Sequence, residues 1–412
     1  MKKRNHWKKL IALFGLILTF YAKGDYWTQK ADFGGAARFG AVGFSIGTKG
    51  YIGTGANPIG LNDFWEYDPS LNIWTQKTNV PGNARANAMG FSIGAKGYIG
   101  GGFGGVGLKD FWEYDPILNT WSQKANLGGD VRFAGVGFSI GNKGYIGSGC
   151  DSSSCNSIYF WEYDALLNNW TQKANLGGMG VEYATGYSDG TYGYIGTGVN
   201  YSTGMQYSNE FWSWDPTTNV WTQMANFGGI ARAEACAFWL CPFGYMGTGT
   251  SNIPTSALSD FWKYDRTSNS WVSVANFGAG LREFASTFSI GNKGYVGVGW
   301  INDANLHSDF WEYTPDTVCL TGIEDVQNSD FQLQVYPNPS KDFININWSS
   351  NTIISTSIEI SIWEISSKKV FTKNVLAPNN NLIVDIRNFT KGVYFIEVNV
   401  DRKRIVKKLF KE

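Results

Sequence analysis

The chain has 412 residues, of which 51 are glycine, 11 are proline and 16% are aromatic. Frequent turns with many aromatic rings favour short strands and argue against a disordered polymer. The formal charge is zero overall, but residues 25–329 hold 16 Lys/Arg against 26 Asp/Glu, a net charge of −10. This acidic segment argues against nucleic acid as a partner, because phosphate contacts need a basic face.

The N-terminus is typical of a secretory signal peptide. A basic start precedes an apolar core at 10–20, and small residues follow at Ala22 and Gly24. We expect a signal peptide over 1–24, cleaved after Gly24. The apolar core is short for a bilayer span, although a short membrane anchor is the alternative. No other segment is predicted to cross a membrane, so we expect an exported, soluble mature protein.

A sequence motif, Phe-Trp-Glu-Tyr-Asp-Pro with variants, recurs through the next 290 or so residues. Its period of about 50 residues is typical of propeller blades. Its copies start at Phe64, Phe111, Phe160, Phe211, Phe261 and Phe310, with spacings of 47, 49, 51, 50 and 49 residues. A second phrase, Trp-Thr-Gln-Lys with variants, starts at Trp27, Trp74, Trp121, Trp170, Trp221 and Trp271.

One repeat, residues 38–77, divides into four strands separated by turns: 41–46, 51–55, 63–67 and 74–77. The first Trp-Thr-Gln-Lys copy comes before any complete repeat. The last Phe-Trp-Glu-Tyr copy, at Phe310, is not followed by a Trp-Thr-Gln-Lys copy. We therefore predict that 27–31 completes the repeat begun at Arg282. Six blades then close into a ring, which removes an open sheet edge.

The Trp and Tyr spacing and the Asp-Pro turn resemble the kelch family of β-propellers, in its secreted bacterial form, over residues 25–315. The usual Gly-Gly pair that ends the second strand is mostly Gly-x-Gly here, as at Gly53 and Gly55. The expected fold is all-β: a six-bladed kelch-type propeller followed by a small Ig-like sandwich.

That sandwich is predicted after a polar linker at 316–329. Strand-like runs occur at 343–348, 358–365, 369–374, 382–386 and 392–400. Tyr-Pro-Asn-Pro at 336–339, Gly-Val-Tyr-Phe at 392–395 and the terminal Lys-Lys-Leu-Phe-Lys-Glu resemble the C-terminal sorting domain of type IX secretion substrates, here 330–412. The resemblance implies the type IX machinery as a partner, release or attachment at the cell surface, and a source among the Bacteroidota. An ordinary adhesive Ig-like module is the alternative.

Five cysteines in an exported chain permit disulfides. Cys150 and Cys155 bracket a serine-rich loop and are predicted to bond. Cys236 and Cys241 lie near the end of one predicted strand, a poor geometry for mutual bonding. A Cys241–Cys319 disulfide between the linker and the ring is a further hypothesis.

In a four-stranded antiparallel blade, the loops after the second and fourth strands open on the same face. The variable loops and the starts of the innermost strands are therefore expected on one face of the ring, its mouth. An arginine stands at five of the six starts, 13 residues before a tyrosine: Arg38, Arg85, Arg132, Arg232 and Arg282. In the fourth repeat Val181 takes this position, next to Glu182. Guanidinium groups bind carboxylates and phosphates through paired donors, so these residues are candidates for an anionic ligand. The alternative is that each pairs with an acid or carbonyls of a neighbouring blade.

Positions that break the repeat are further candidates, since loops on rigid scaffolds carry binding sites. Tyr201, Tyr207 and Trp300 could stack on sugar rings, and His307 lies in the same loop as Trp300. Simple loop packing is the alternative for these aromatic residues.

Enzyme chemistry is less favoured, and no cofactor or metal is expected. His307 is the sole histidine after residue 24, which argues against histidine-based copper or zinc sites. A glycosidase needs only two carboxylates, for which Glu182, Glu283 and Glu234 are candidates, and charge compensation for the arginines is the alternative. We therefore expect an exported recognition module for a glycan or protein; a structural cell-surface protein is the second reading and a carbohydrate-active enzyme the third.

Overall fold

The structure is a computed structural model that describes residues 24–202, 204–252, 255–301, 305–316, 331–350, 357–364, 369–376, 380–400 and 403–412. The predicted signal peptide, apart from Gly24, and nearly all of the predicted linker lie outside these residues. The described part of the chain consists of strands, turns and loops and contains no helix. It accordingly offers no helix of the length and apolar character that a bilayer crossing requires.

Six four-stranded antiparallel sheets account for residues 26–314. Sheets one to three are Val42–Ile46, Lys49–Gly53, Phe64–Asp68, Ile73–Lys77; Met89–Ile93, Lys96–Gly100, Phe111–Asp115, Thr120–Gln123; and Val136–Ile140, Lys143–Gly147, Phe160–Asp164, Asn169–Gln172. Sheets four and five are Thr185–Ser188, Gly193–Gly196, Phe211–Asp215, Val220–Gln223; and Cys236–Leu240, Phe243–Gly247, Phe261–Asp265, Ser270–Val274. Each sheet therefore corresponds to one sequence repeat.

The sixth sheet joins the two ends of this region. It contains Ser286–Ile290, Lys293–Gly297 and Phe310–Thr314, and its fourth strand is Tyr26–Gln29. Trp27 pairs with Tyr313 in an antiparallel register. The N-terminal strand thus occupies the place that 73–77 takes in sheet one, as the count of repeated phrases predicted.

The first strands of the six sheets lie side by side in cyclic order, with the sixth next to the first. Backbone hydrogen bonds follow the same order, each from a glycine after the second strand of one sheet to the arginine-position carbonyl of the next. They are Gly55→Arg85 2.8 Å, Gly102→Arg132 2.7 Å, Gly149→Val181 2.8 Å, Gly198→Arg232 2.8 Å, Gly249→Arg282 2.8 Å and Gly299→Arg38 2.7 Å. Every sheet is therefore tied to both of its neighbours.

The Gly-x-Gly signature supplies this contact. A Cβ on Gly53 would lie 2.5 Å from the ring of Phe64, so the second strand can approach the third only with glycine there. Thr54 and Gly55 then have φ values of 60° and 94°. This left-handed turn ends the strand at Gly53, two residues before the sequence prediction, and aims the Gly55 N–H at the next sheet.

Aromatic side chains form the core between neighbouring sheets. Phe64 of sheet one packs edge-on against Tyr114 and Trp121 of sheet two, with ring centroids 4.9 and 5.0 Å apart. The Trp121 indole N–H also donates to the Thr78 carbonyl at 2.9 Å. Rings of this size bury the largest apolar area per residue, and edge-on pairs add to that stabilisation. The repeated tryptophans thus have a structural role.

The C-terminal region forms two further sheets. Phe331–Tyr336, Phe343–Ser350 and Asn381–Asp385 make one; Lys369–Leu376, Ser357–Glu364, Gly392–Val400 and Lys403–Lys411 make the other. Their inner faces share one core, in which Ile346 and Val384 of the first sheet cluster with Ile360 and Ile396 of the second. The first and last of these seven strands were absent from the strand runs that the sequence analysis identified.

Candidate functional site

The variable loops and the starts of the first strands meet on one side of the six sheets, here called the mouth. Four loops carry short hairpins: Ala56–Asn57 with Ile59–Gly60, Val199–Asn200 with Gln206–Tyr207, Thr250–Asn252 with Thr255–Ala257, and Trp300–Ile301 with Asn305–Leu306. Each loop bridges back to a first-strand start, as Phe39 does with Ala56 and Glu283 with Trp300. The loops therefore form walls around the first-strand starts.

Six equivalent residues surround the centre of the mouth, each two positions after the arginine position. This axial ring consists of Gly40, Asn87, Ala134, Tyr183, Glu234 and Phe284, all with φ between 52° and 61°. Backbone N–H groups donate around it: Asn87→Gly40, Ala134→Asn87, Tyr183→Ala134, Glu234→Tyr183 and Phe284→Glu234, at 2.8–3.2 Å.

Left-handed backbone is unfavourable for non-glycine residues and persists only where the surroundings hold it. The hydrogen bonds of the axial ring supply that support and line a cavity of about 120 Å³. The backbone is therefore the same in all six repeats, while the side chain differs in every one. The axial ring therefore presents six different side chains on one repeated backbone, which gives the scaffold a distinct chemical surface there.

A larger cavity of about 800 Å³ opens beside the axial ring, over sheets one to three and up to Tyr183 of the fourth repeat. Its aromatic lining comes from Phe39, Phe103, Phe133 and Tyr183, and the amides of Asn83 and Asn87 lie in the same wall. Phe103 is 45% exposed, so its ring is available to a ligand. Concave sites with apolar walls and a few polar groups are typical of small-molecule binding sites.

An aromatic cluster continues this wall across the mouth. Trp300 stacks on Phe39 with centroids 4.0 Å apart, and Phe284 stands edge-on to Trp300 at 5.4 Å. Phe284 also meets Tyr183 edge-on at 5.1 Å. The indole Nε1 of Trp300 is buried without a hydrogen-bond partner in the described structure. This packing leaves Trp300 half-buried. Its ring therefore forms part of the wall of the mouth, and the face that stacks on Phe39 is not free to stack on a ligand.

Two carboxyl groups interact with Tyr183, those of Glu182 and Glu234. Burial raises the pKa of Glu182, which is 6% exposed, to about 7. Burial, followed by the charges of Glu182 and Glu234, raises the pKa values of Tyr183 and Tyr201. Two acids and two phenols therefore interact electrostatically at one edge of the mouth. Glu182 and Glu283 each pair through the backbone with the hairpin of their own repeat, at Val199 and Trp300 respectively.

The five arginines do not present a cationic ring to a ligand, which corrects the sequence hypothesis. Each side chain is at most 1% exposed: Arg38, Arg85, Arg132, Arg232 and Arg282. In four sheets the guanidinium forms two bonds to an aspartate of the same sheet, at 2.6–3.1 Å. The aspartates are Asp63, Asp110, Asp260 and Asp309.

Each aspartate also accepts the indole N–H of the tryptophan two residues later, at 2.7 Å. Burial opposes ionisation, yet the guanidinium and indole donors hold the pKa of Asp110 below its usual range. The arginine also donates to a carbonyl after its own second strand, as Arg38 does to Thr54 at 2.8 Å. We call this unit the Arg–Asp–Trp triad. It joins the start of the first strand to the end of the variable loop of the same sheet. The aspartate partner therefore does not come from a neighbouring sheet.

Sheets three and four depart from the triad in complementary ways. In sheet three Arg132 is present, but Tyr159 stands where the aspartate is found elsewhere. In sheet four Val181 replaces the arginine, and Glu210 takes the aspartate position and accepts the Trp212 indole N–H at 3.2 Å. One sheet thus keeps the cation and its neighbour keeps the anion.

The remaining predicted site residues are spread around the mouth. Tyr201 is 43% exposed on its hairpin, while Tyr207 is half-buried in the pairing strand. His307 is half-buried with its Nδ1 3.7 Å from Asp309, and burial followed by the Arg282 charge lowers its pKa. The structure therefore places Tyr201 near Glu182 and His307 beside the sixth triad, in separate parts of the mouth.

Cys150 and Cys155 form a disulfide in the loop of sheet three. Their sulfurs and a Glu182 oxygen lie within 4.8 Å of one another, but sulfurs bonded to each other are not available as thiolate ligands. Cys236 is a free, buried thiol. Cys241 is disulfide-bonded, and Cys319, its predicted partner, lies outside the described residues.

Sequence reasoning missed Phe39, Phe103 and Phe133 in the large cavity and Asn87, Tyr183 and Phe284 in the axial ring. The signal that identifies the axial ring is present in the sequence. It is the repeat position two residues after the arginine, whose side chain changes in every copy while its surroundings stay constant.

Residues 334–412 match the family of the secretion system C-terminal sorting domain. This match indicates export by type IX secretion, to the cell surface or the medium, and interaction with that machinery. A comparison with curated proteins found no match.

The solved structure of YjhT is similar to this chain, with a TM-score of 0.58 at 14% sequence identity. The alignment covers 68% of this chain and 95% of that chain. At this identity the likeness concerns the fold alone.

Proposed function

We propose that residues 25–315 are a closed six-bladed kelch-type propeller that acts as an exported recognition module, and that its mouth binds a glycan. The C-terminal segment at 330–412 is its Ig-like sorting domain. The observation that carries the proposal is the cavity of about 800 Å³, in which aromatic faces stand beside the amides of Asn83 and Asn87. Sugar rings present apolar faces and hydroxyl edges, so aromatic walls with nearby amides suit both.

The position of the cavity supports this reading. Its walls come from loops and from axial-ring side chains, which differ between repeats, while the triads and inter-sheet aromatics beneath them stay nearly constant. A rigid scaffold with variable surface residues is the usual arrangement of a binding site. The match to a sorting domain adds that such a site is presented outside the cell.

A glycan array followed by titration calorimetry tests the proposal with the mature protein. Phe103→Ala removes an exposed cavity ring and should weaken binding about tenfold, since a central aromatic contact is typically worth more than 1 kcal/mol. Leu166→Ala is the matched control, because Leu166 is 83% exposed in the turn between the third and fourth strands, at the end of the sheet away from the mouth. Binding that both variants retain equally would place the ligand elsewhere, and a protein ligand is the next candidate.

A carboxylate-based hydrolase is a second candidate, favoured by one observation. Glu182 is buried beside Tyr183 and Tyr201, on which Glu234 also acts, and this burial raises the pKa of Glu182 to about 7, as a general acid needs near neutral pH. Glu182→Gln should then abolish turnover of a bound glycan while leaving its affinity nearly unchanged. If the wild-type protein binds a glycan and never cleaves it, this candidate is excluded. A purely structural surface role is supported if no soluble ligand is found and deletion alters the cell surface.

A further inference from the structure

The third sheet contains a buried guanidinium without a carboxylate partner. Arg132 is 1% exposed and donates from Nη1 to the Ser148 carbonyl at 2.5 Å, as its equivalents do to theirs. It forms no ion pair with any described residue. Burial lowers the pKa of Arg132, although an arginine remains charged at neutral pH. The charge is therefore desolvated without a carboxylate in hydrogen-bonding contact among the described residues.

The indole of Trp161 has lost the same partner. In sheets one, two, five and six the equivalent indole donates to the triad aspartate, whereas Trp161 Nε1 is buried with no acceptor in the described structure. Tyr159, at the aspartate position, is 46% exposed and carries no carboxylate. Two buried donor groups that share one carboxylate in four other sheets thus both lack it here.

Neighbouring acids do not take over this role. The carboxylates whose charges act on Arg132 are those of Asp151 and Asp130. Asp151 accepts the N–H groups of Ser153 and Ser154 at its Oδ1, both at 2.9 Å, so this oxygen is committed to the disulfide loop. Asp130 accepts the Val131 N–H at 2.7 Å and contacts the Ser152 hydroxyl. Both acids are used by local turns.

A buried charge is strongly unfavourable unless it is paired and hydrogen-bonded. Four copies of the same unit within this chain display what completes it: a carboxylate held by two guanidinium bonds and one indole bond. We propose that sheet three binds a small monovalent carboxylate, of the size of formate or acetate, between Arg132 and Trp161. The bound carboxylate takes the place of the aspartate side chain that Tyr159 has replaced.

The test compares anion responses of three full-length mature proteins: the wild type, Tyr159→Asp and Tyr159→Phe. Thermal unfolding is followed in sodium formate and in sodium perchlorate at equal ionic strength. Salt-type effects on the whole molecule act on all three proteins, so the difference between variants isolates the site. Tyr159→Asp supplies its own carboxylate, and Tyr159→Phe, the matched control, does not.

We expect formate to raise the melting temperature of the wild type and of Tyr159→Phe by about 1–3 °C more than that of Tyr159→Asp. A shift of this size follows if the site has a Kd for formate in the millimolar range and the formate concentration is about ten times that Kd. In the absence of formate, Tyr159→Asp should be the most stable of the three. Crystals soaked in bromide should show an anomalous peak beside Arg132 in the wild type and none there in Tyr159→Asp. Equal formate responses in all three proteins, with no bromide at this position, would overturn the proposal.

Discussion

Loss of one triad carboxylate should destabilise the protein far more than loss of an exposed ion pair. Asp110 accepts two bonds from Arg85, both at 2.6 Å, and one from the Trp112 indole at 2.7 Å. Arg85 is fully buried. Asp110→Asn keeps the shape but removes the charge, so the guanidinium stays buried and uncompensated, which costs about 3–5 kcal/mol.

Urea unfolding of the full chain, followed by tryptophan fluorescence, measures this loss, since most of the 18 tryptophans lie in the six sheets. Lys96→Met is the control, because it breaks the more exposed Lys96–Asp115 ion pair of the same sheet and should change stability much less. The double variant Arg85→Met/Asp110→Asn removes the orphan charge and should be more stable than Asp110→Asn alone. A loss below about 1 kcal/mol for Asp110→Asn, or no recovery in the double variant, would refute the reasoning.

Three further predictions concern the mouth, the closing strand and the C-terminal domain. Burial raises the pKa of Glu182 in the folded protein to about 7, so between pH 4.5 and 7 the unfolded carboxyl ionises first and this group contributes a loss of stability as pH rises; the wild type should lose up to about 3 kcal/mol more stability than Glu182→Gln over this interval, as thermal unfolding of both proteins at both pH values would measure. Trp27→Ala removes a ring that contacts Phe261, Phe277 and Tyr313 at 5.0–5.1 Å and should cost about 3–5 kcal/mol in urea unfolding; a cost below 1 kcal/mol would mean that the closing strand contributes little. Deletion of 334–412 should retain the protein inside the cell, as immunoblots of medium and cell fractions would record.

The repeat arithmetic predicted much of the architecture, because inter-sheet packing uses the same aromatic residues in every copy. Trp27 was correctly assigned to the last repeat, since a strand without partners in its own repeat must pair elsewhere. The strand boundaries were less accurate: the left-handed Thr54 ends a strand that a propensity reading extends to Gly55.

The binding surface could be predicted only in outline. The arginines have the right residue type and spacing for an anion site, but the sequence does not reveal that an aspartate 25 to 28 residues later reaches four of the five. Asp110 directly precedes the aromatic motif that begins at Phe111. In the sequence it therefore looks like an ordinary polar residue at the boundary of a strand. Phe103 and Tyr183 line one cavity only because segments of different repeats converge at the mouth, a proximity that no spacing within one repeat encodes.

The hydrogen bonds from Gly55 to Arg85, and onward around to Gly299 and Arg38, also bear on how the molecule comes apart. In an open repeat array the terminal units have one neighbour each and fray first. Here each sheet has two neighbours, so opening any one of them breaks two interfaces at once. We therefore expect amide hydrogens in all six sheets to exchange in a single concerted event, without a preferred end at which unfolding begins.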